Sequence, residues 1–207
     1  MSSQIIWRQA WSPAAESMLR QALASQQCSI HELSSQQWDA STATIGGIRD
    51  HKASYLAPAS PSWSSVMLHL NSFAAEPVAA ELSRLIDGPA IAIFEYDQAT
   101  WGYTFFERGE LTDRFWSFPD VVETPPEECA GNAALLARAF GASPESITPY
   151  LRHISESDYE TKAFDDDKFT LGDHWVRVDF MRRLGISYPS PGRVAGGRYV
   201  QIQEARQ

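Results

Sequence analysis

Cysteine is scarce in this sequence, and the motifs that depend on it are missing. Cys28 and Cys129 are its two cysteines, and no Cys-x-x-Cys pair is present to indicate a structural zinc site. The N-terminal residues MSSQIIWRQAW lack the basic start and apolar run of a signal peptide. We therefore expect a cytoplasmic protein with both cysteines reduced.

Long apolar runs and blocks of basic residues are absent as well. No apolar stretch approaches the roughly 18–20 residues that a membrane-spanning helix needs. The chain has 17 Lys and Arg against 26 Asp and Glu, a formal net charge of −9. Since phosphate contacts need a positive face, we expect no nucleic-acid partner and no membrane. A basic protein fits the charge better, and a small-molecule ligand stays open.

Motifs for catalysis and cofactor binding are missing too. The sequence has no phosphate-binding glycine loop, no G-x-G-x-x-G after a strand and no G-x-S-x-G. No two histidines lie four residues apart, as zinc ligands on a helix would; the five are His31, His51, His69, His153 and His174. We predict no cofactor, no metal and no catalytic residue, and consider an enzyme less expected than a binding protein.

What the sequence does have is a globular composition. Its 207 residues are 43% hydrophobic and 12% aromatic, which favours an ordered core. We predict one α+β domain over residues 1–188 and a flexible tail over 189–207, where glycines accumulate. The stretch Ala57–Ser62 resembles a linker by its Pro and Ser content.

Two similar arrangements of strands and helices occupy the first part of the chain. Residues 4–57 and 64–116 each begin with a strand, a helix and a second strand, which predicts a mostly antiparallel sheet and suggests a duplication. Ser12-Pro13 is typical of a helix start, and Glu107-Arg108-Gly109-Glu110 of a hairpin turn. Residues 130–185 then predict C-terminal helices, the last from Asp173 to Leu184.

The densest polar feature is the run Asp165-Asp166-Asp167. Counting from Asp165 places Thr170 where a calcium loop needs Gly and Val176 where it needs Glu, so the calcium-loop pattern fails. We predict an exposed loop, free of metal, that contributes a negative face to a basic partner. On that view, replacing all three with Asn changes the free energy of unfolding by less than about 1 kcal/mol.

Aromatic residues crowd the hairpin that follows residue 100. Most of them must belong to the core, but Trp101 and Tyr103 are candidates for contact with a partner, because aromatic side chains anchor many interfaces. The same two residues with Trp63 would line a ligand cleft if the two halves form one.

The segment from Trp101 to Asp120, WGYTFFERGELTDRFWSFPD, resembles a widespread set of uncharacterised bacterial proteins. The similar features are an aromatic strand, a Gly-Glu turn, Asp-Arg-Phe and Ser-x-Pro-Asp, followed later by a region similar to residues 164–189. The likeness covers roughly residues 62–189 and implies no activity. Duplicated strand-helix-strand modules are also analogous to small-ligand-binding folds of the transcription-effector type.

These observations favour a non-catalytic protein-binding domain, with neutralisation of a toxin or effector, as by an immunity protein, as one version. The first alternative is a small-molecule-binding module with a cleft between the two strand-helix halves. The second is an enzyme that uses scattered acid and base residues.

Overall fold

The computed structural model describes residues 2–32, 44–45, 48–49, 53–68, 72–96, 100–188 and 197–204. The strands within these ranges are β1 Ser2–Trp7, β2 Cys28–Glu32, β3 Thr44–Ile45, β4 Ile48–Arg49, β5 Ala53–Ser60, β6 Trp63–Leu68, β7 Pro89–Tyr96, β8 Thr100–Glu107, β9 Glu110–Trp116 and β10 Arg198–Glu204. The helices are α1 Pro13–Ser25, α2 Ser72–Leu85, α3 Ala133–Phe140, α4 Pro144–Ile147 and α5 Val176–Arg183.

Eight of these strands form one antiparallel sheet in the order β2-β10-β5-β6-β1-β7-β8-β9, and β3 pairs with β4 separately. The predicted α+β class, antiparallel sheet and C-terminal helices are confirmed. At the β8–β9 turn, Arg108 and Gly109 have φ of 56° and 92°. Two successive positive φ angles match the twist of a tight hairpin, and glycine adopts one without strain.

Helices α1 and α2 cover one face of the sheet. Helix α1 begins as its sequence predicts, because Ser12 Oγ accepts a hydrogen bond from the backbone N–H of Ala15 at 3.2 Å and Pro13 occupies the first turn. The buried side chains between this pair of helices and the sheet include Leu19, Leu23, Val78, Leu82, Ile5, Trp7, Leu56, Val66 and Phe94. Their burial is what holds the first two layers together.

The C-terminal helices α3 and α5 pack on the opposite face, so that the sheet lies between two helical layers. The side chains buried on this face are mostly aromatic or aliphatic and include Trp63, Ile91, Trp101, Tyr103, Phe105, Phe115, Leu136, Tyr150, Phe180 and Met181. Strand β8 is buried along almost its whole length because both of its faces are covered.

The end of the chain differs from the predicted tail. Residues 198–204 form β10, which pairs with β2 on one side and β5 on the other. Val200 and Ile202 alternate inward and are 1% and 6% exposed. The prediction gave more weight to the neighbouring glycines than to this alternation, which is the period of a strand. Residues 189–196 and 205–207 lie outside the described residues.

The predicted linker at 57–62 is also part of the sheet. Strand β5 continues to Ser60 and returns as β6 after Pro61 and Ser62. Pro58 has no N–H to donate, and the register between β5 and β6 shifts between Pro58 and Ser60. Such an irregularity accommodates proline inside a sheet.

Candidate protein-binding surface

The two aromatic residues predicted to contact a partner lie in the interior. Trp101 and Tyr103 are 1% and 0% exposed. Both rings pack against Phe180 of α5, with centroid separations of 5.0 and 5.8 Å. The prediction was wrong about these two residues, because the C-terminal helices cover the face of the hairpin on which both side chains lie.

The hydroxyl of Tyr103 has a structural partner. It donates a hydrogen bond to Asp113 Oδ2 at 2.7 Å, and the backbone N–H of Asn132 donates to the same oxygen at 2.9 Å. Burial raises the pKa of Tyr103 and of Asp113. Asn132 also caps α3, because its side chain accepts a hydrogen bond from the Leu135 N–H. The hydrogen bonds to Asp113 therefore hold the start of α3 against β8 and β9.

The cleft expected between the two halves is filled at the residues proposed to line it. The Trp63 ring stacks on Phe140 of α3 with centroids 4.1 Å apart, and Trp101 and Tyr103 contact Phe115 and Phe180. These contacts leave no cleft between the three side chains.

The three adjacent aspartates do not share one environment. Asp165 and Asp166 are exposed, whereas Asp167 is 3% exposed. Asp167 Oδ2 accepts hydrogen bonds from the Tyr150 hydroxyl at 2.7 Å and the Phe164 backbone N–H at 3.1 Å. The prediction of a uniformly solvated loop is therefore wrong at Asp167.

Two arginines of α5 neutralise most of this acidic run. Arg182 and Arg183 approach Asp167 Oδ1 at 2.8 and 2.9 Å, and both also pair with Asp166. Hydrogen bonds from Arg182 and Arg183 lower the pKa of Asp166 to about 2. Of the three carboxylates, only Asp165 has no ion pair in the described part of the chain, so this loop offers a partner little free negative charge.

The histidines are dispersed. Nε2 of His31 lies 3.1 Å from Ser29 Oγ, Nε2 of His153 lies 3.4 Å from the Cys129 carbonyl oxygen, and Nδ1 of His174 lies 3.6 Å from Asp173 Oδ1. His51 and His69 lie outside the described residues. Within the described ranges, no group of three or more His, Cys, Asp or Glu side chains is arranged to hold a metal ion.

In a different acidic region of the surface, all but one of the carboxylates lack an ion pair within the described part of the chain. This region consists of residues 119–128 and 153–160, which we call the acidic surface. The two segments lie side by side, because the Ile154 N–H donates to the Ser117 carbonyl at 2.8 Å and the Phe118 and Tyr159 rings are 5.9 Å apart.

Six exposed carboxylates lie on the acidic surface: Asp120, Glu123, Glu127, Glu128, Glu156 and Glu160. Among the described residues, none of the six is in an ion pair. Val121 and Tyr159, which are 45% and 47% exposed, lie on the same two segments. The acidic surface therefore combines negative charge with exposed hydrophobic side chains, whose burial against a partner would be favourable.

Local contacts hold the acidic surface in shape. Asp158 accepts hydrogen bonds from the Ser155 backbone and hydroxyl at 2.9 and 2.7 Å and pairs with Arg152 at 2.5 Å. Gly172 lies so close to Tyr159 that an added Cβ would come within 2.6 Å of its backbone. A larger residue at 172 would displace Tyr159, so this backbone contact positions an exposed aromatic ring.

The sequence contained a signal for the acidic surface that the prediction did not use as a site. The segment 119–128 carries four acidic residues and no Lys or Arg. Its neighbour at 153–160 is distant enough in sequence that only the fold brings the two together.

No family model, curated protein or solved structure matches the chain. None of the helices in the described ranges has the length and apolar character needed to cross a membrane.

Proposed function

We propose that the protein is a non-catalytic binding domain that recognises a basic protein through the acidic surface. The observation that carries this proposal is the set of six exposed carboxylates, with no ion pair to any described residue, on the same two segments as Val121 and Tyr159. Neutralisation of a basic toxin or effector is one version of this function.

The charge of the acidic surface would act mainly on the rate of encounter. Exposed carboxylates attract a basic partner over about 8 Å at physiological ionic strength and fix its orientation. They are solvated in the free protein, so each contributes little to affinity once the complex has formed. Other contacts must therefore supply most of the binding energy.

Tyr159 is suited to supply part of that energy. Its ring is held by Phe118 and by the backbone at Gly172, so little conformational entropy is lost when a partner covers it. An aromatic face beside carboxylates also favours an Arg or Lys side chain, which gains from both the ring and the charge. We therefore expect the partner to present a basic side chain to Tyr159.

Pull-down from the native host at low and moderate salt, followed by binding kinetics with the captured protein, tests the proposal. Changing Glu127 and Glu128 to Lys should slow association at least tenfold at low salt, and Tyr159→Ala should speed dissociation. The matched control changes Glu110 and Glu145 to Lys, which alters the net charge equally at exposed carboxylates outside the acidic surface.

The proposal fails if no partner is captured at either salt concentration. It also fails if both charge-reversed variants bind a captured partner as the wild type does, or if both lose binding equally. The last result would mean that total charge, rather than this surface, governs the association.

We also propose that the units at 4–57 and 64–116 arose by duplication. Their first strands, β1 and β6, pair with each other, and their helices cover the same face of the sheet, which supports the proposal. Their second strands differ in place, since β7 lies next to β1 whereas β2 lies at the edge of the sheet.

A further inference from the structure

A small cavity lies between the sheet and the segment that contains α5, apart from the acidic surface. Gln4 of β1 is in register with Met67 of β6 and Ile93 of β7. Arg177 and Tyr188 line the same cavity from the helical layer. Its walls therefore combine two polar side chains of the helical layer with two polar residues of β1, Ser3 and Gln4.

Gln4 brings an unused hydrogen-bond donor into this cavity. The side chain is 4% exposed, and its Nε2 has no hydrogen-bond partner in the described part of the chain. A buried amide donor without a partner is destabilising, and most such groups in folded proteins are satisfied by protein or by ordered water. Gln4 therefore indicates that an acceptor belongs in the cavity.

Arg177 does not leave the cavity with a positive charge. Its Nη1 donates to the His174 carbonyl at 2.6 Å, its Nη2 lies 3.3 Å from Glu95 Oε2, and its guanidinium lies 4.5 Å from the centre of the Trp175 ring. Because Glu95 balances the charge, the site favours a neutral acceptor over an anion.

Tyr188 supplies a second donor. Among the described residues, its hydroxyl donates to the Met67 sulfur alone, at 3.9 Å. A thioether is a weak acceptor. The Tyr188 hydroxyl is therefore able to donate to an oxygen that also accepts from Gln4.

The size of the cavity determines which molecule can supply the accepting oxygen. Its volume is about 10 Å³, close to what one water molecule needs and far below what an organic ligand needs. We propose that this cavity is a binding site for one water molecule that accepts hydrogen bonds from the Gln4 amide and the Tyr188 hydroxyl. The water would join the sheet to the segment after α5.

Substitution of Gln4 by Met distinguishes a hydrated site from a dry one. Methionine has a similar length and no donor, so the loss of a water-mediated link should lower the melting temperature by about 2–4 °C. If the cavity holds no water, the same substitution removes an unsatisfied donor and should raise the melting temperature, which would overturn the proposal.

Tyr188→Phe and the double variant test whether the two donors share one water. The two single losses should then add to clearly more than the loss in the double variant, whereas simple additivity contradicts a shared molecule. Tyr159→Phe, which removes an exposed hydroxyl, is the control and should leave the melting temperature unchanged. A crystal structure should show water density about 2.7–3.2 Å from Gln4 Nε2, and its absence there overturns the proposal.

Discussion

At the residue scale, the aspartate run shows why identical neighbours can have different roles. Asp165, Asp166 and Asp167 are adjacent, yet the first is exposed and the last is buried among hydrogen bonds. The arginines that decide this lie about fifteen residues further along the chain, on α5. Local sequence predicts a charged loop correctly, but it contains no information about which carboxylate the arginines reach.

Replacing Asp167 with Asn should lower the free energy of unfolding by about 2–3 kcal/mol, because Arg182 and Arg183 lose the charge of their buried partner and one of its two accepting oxygens becomes a donor. Asp165→Asn should change it by less than about 0.5 kcal/mol, since that side chain is exposed. Urea denaturation of the two variants measures both values. Equal effects would contradict the distinct environments, and the triple Asn variant should lose at least as much as Asp167→Asn, contrary to the value expected from sequence.

At the element scale, the sequence predicts the ends of a helix where the hydrogen bonds that fix them are made by neighbouring residues. Asn132 caps the start of helix α3, and Gly141, which has φ of 73°, follows its last residue. Asn before a helix and Gly after it are typical of helix ends, so the sequence alone indicates both. Helix α5 was predicted from Asp173 but begins at Val176, since Asp173 instead accepts from the Trp175 N–H in the preceding turn.

The C-terminal strand could not be predicted with the same ease because its partners are distant. β10 pairs with β5 and β2, well over a hundred residues earlier, and completes the sheet between them. Pairing at that separation depends on the assembled sheet rather than on a neighbouring turn, so a short alternation beside glycines was ambiguous.

Ile202→Ala measures how firmly β10 belongs to the fold. The side chain packs in the core with α1 and α2, so its truncation should lower the free energy of unfolding by about 2–4 kcal/mol. Leu111→Ala is the control, because Leu111 is 47% exposed and its loss should cost less than about 0.5 kcal/mol. A flexible tail would instead make Ile202→Ala as mild as the control in thermal or urea unfolding.

At the scale of the whole molecule, composition predicted the acidity of the protein but not its distribution. Some carboxylates form ion pairs with arginines of the same chain, as Asp166 and Glu81 do. Others, on the acidic surface, form no ion pair with any residue that the structure describes. Most individual strands and helices followed from hydrophobic periodicity, whereas the acidic surface depends on two loops that meet only after folding.

The carboxylates also divide by the direction of their pKa shifts. Burial raises the pKa of Glu76 and Asp113, whereas hydrogen bonds lower the pKa of Glu81, Asp158 and Asp166. For the raised group, the native state binds protons more readily, so stability increases as pH falls through the native pKa toward the unfolded value. For the lowered group, stability is present above the unfolded pKa and is lost as pH falls through the native one.

Two matched Asp→Asn variants should therefore change the pH profile of stability in opposite ways. Between pH 4 and 2 the wild type should lose more melting temperature than Asp166→Asn, because the Asp166 pKa falls from 3.8 in the unfolded chain to about 2. Asp113→Asn keeps an acceptor for Tyr103 but lacks the penalty of a buried charge. Its stability relative to wild type should therefore be highest near neutral pH and shrink as pH falls toward 3.8. Calorimetric melts across pH 2–7 measure both trends, and parallel profiles for the three proteins would contradict the assigned environments.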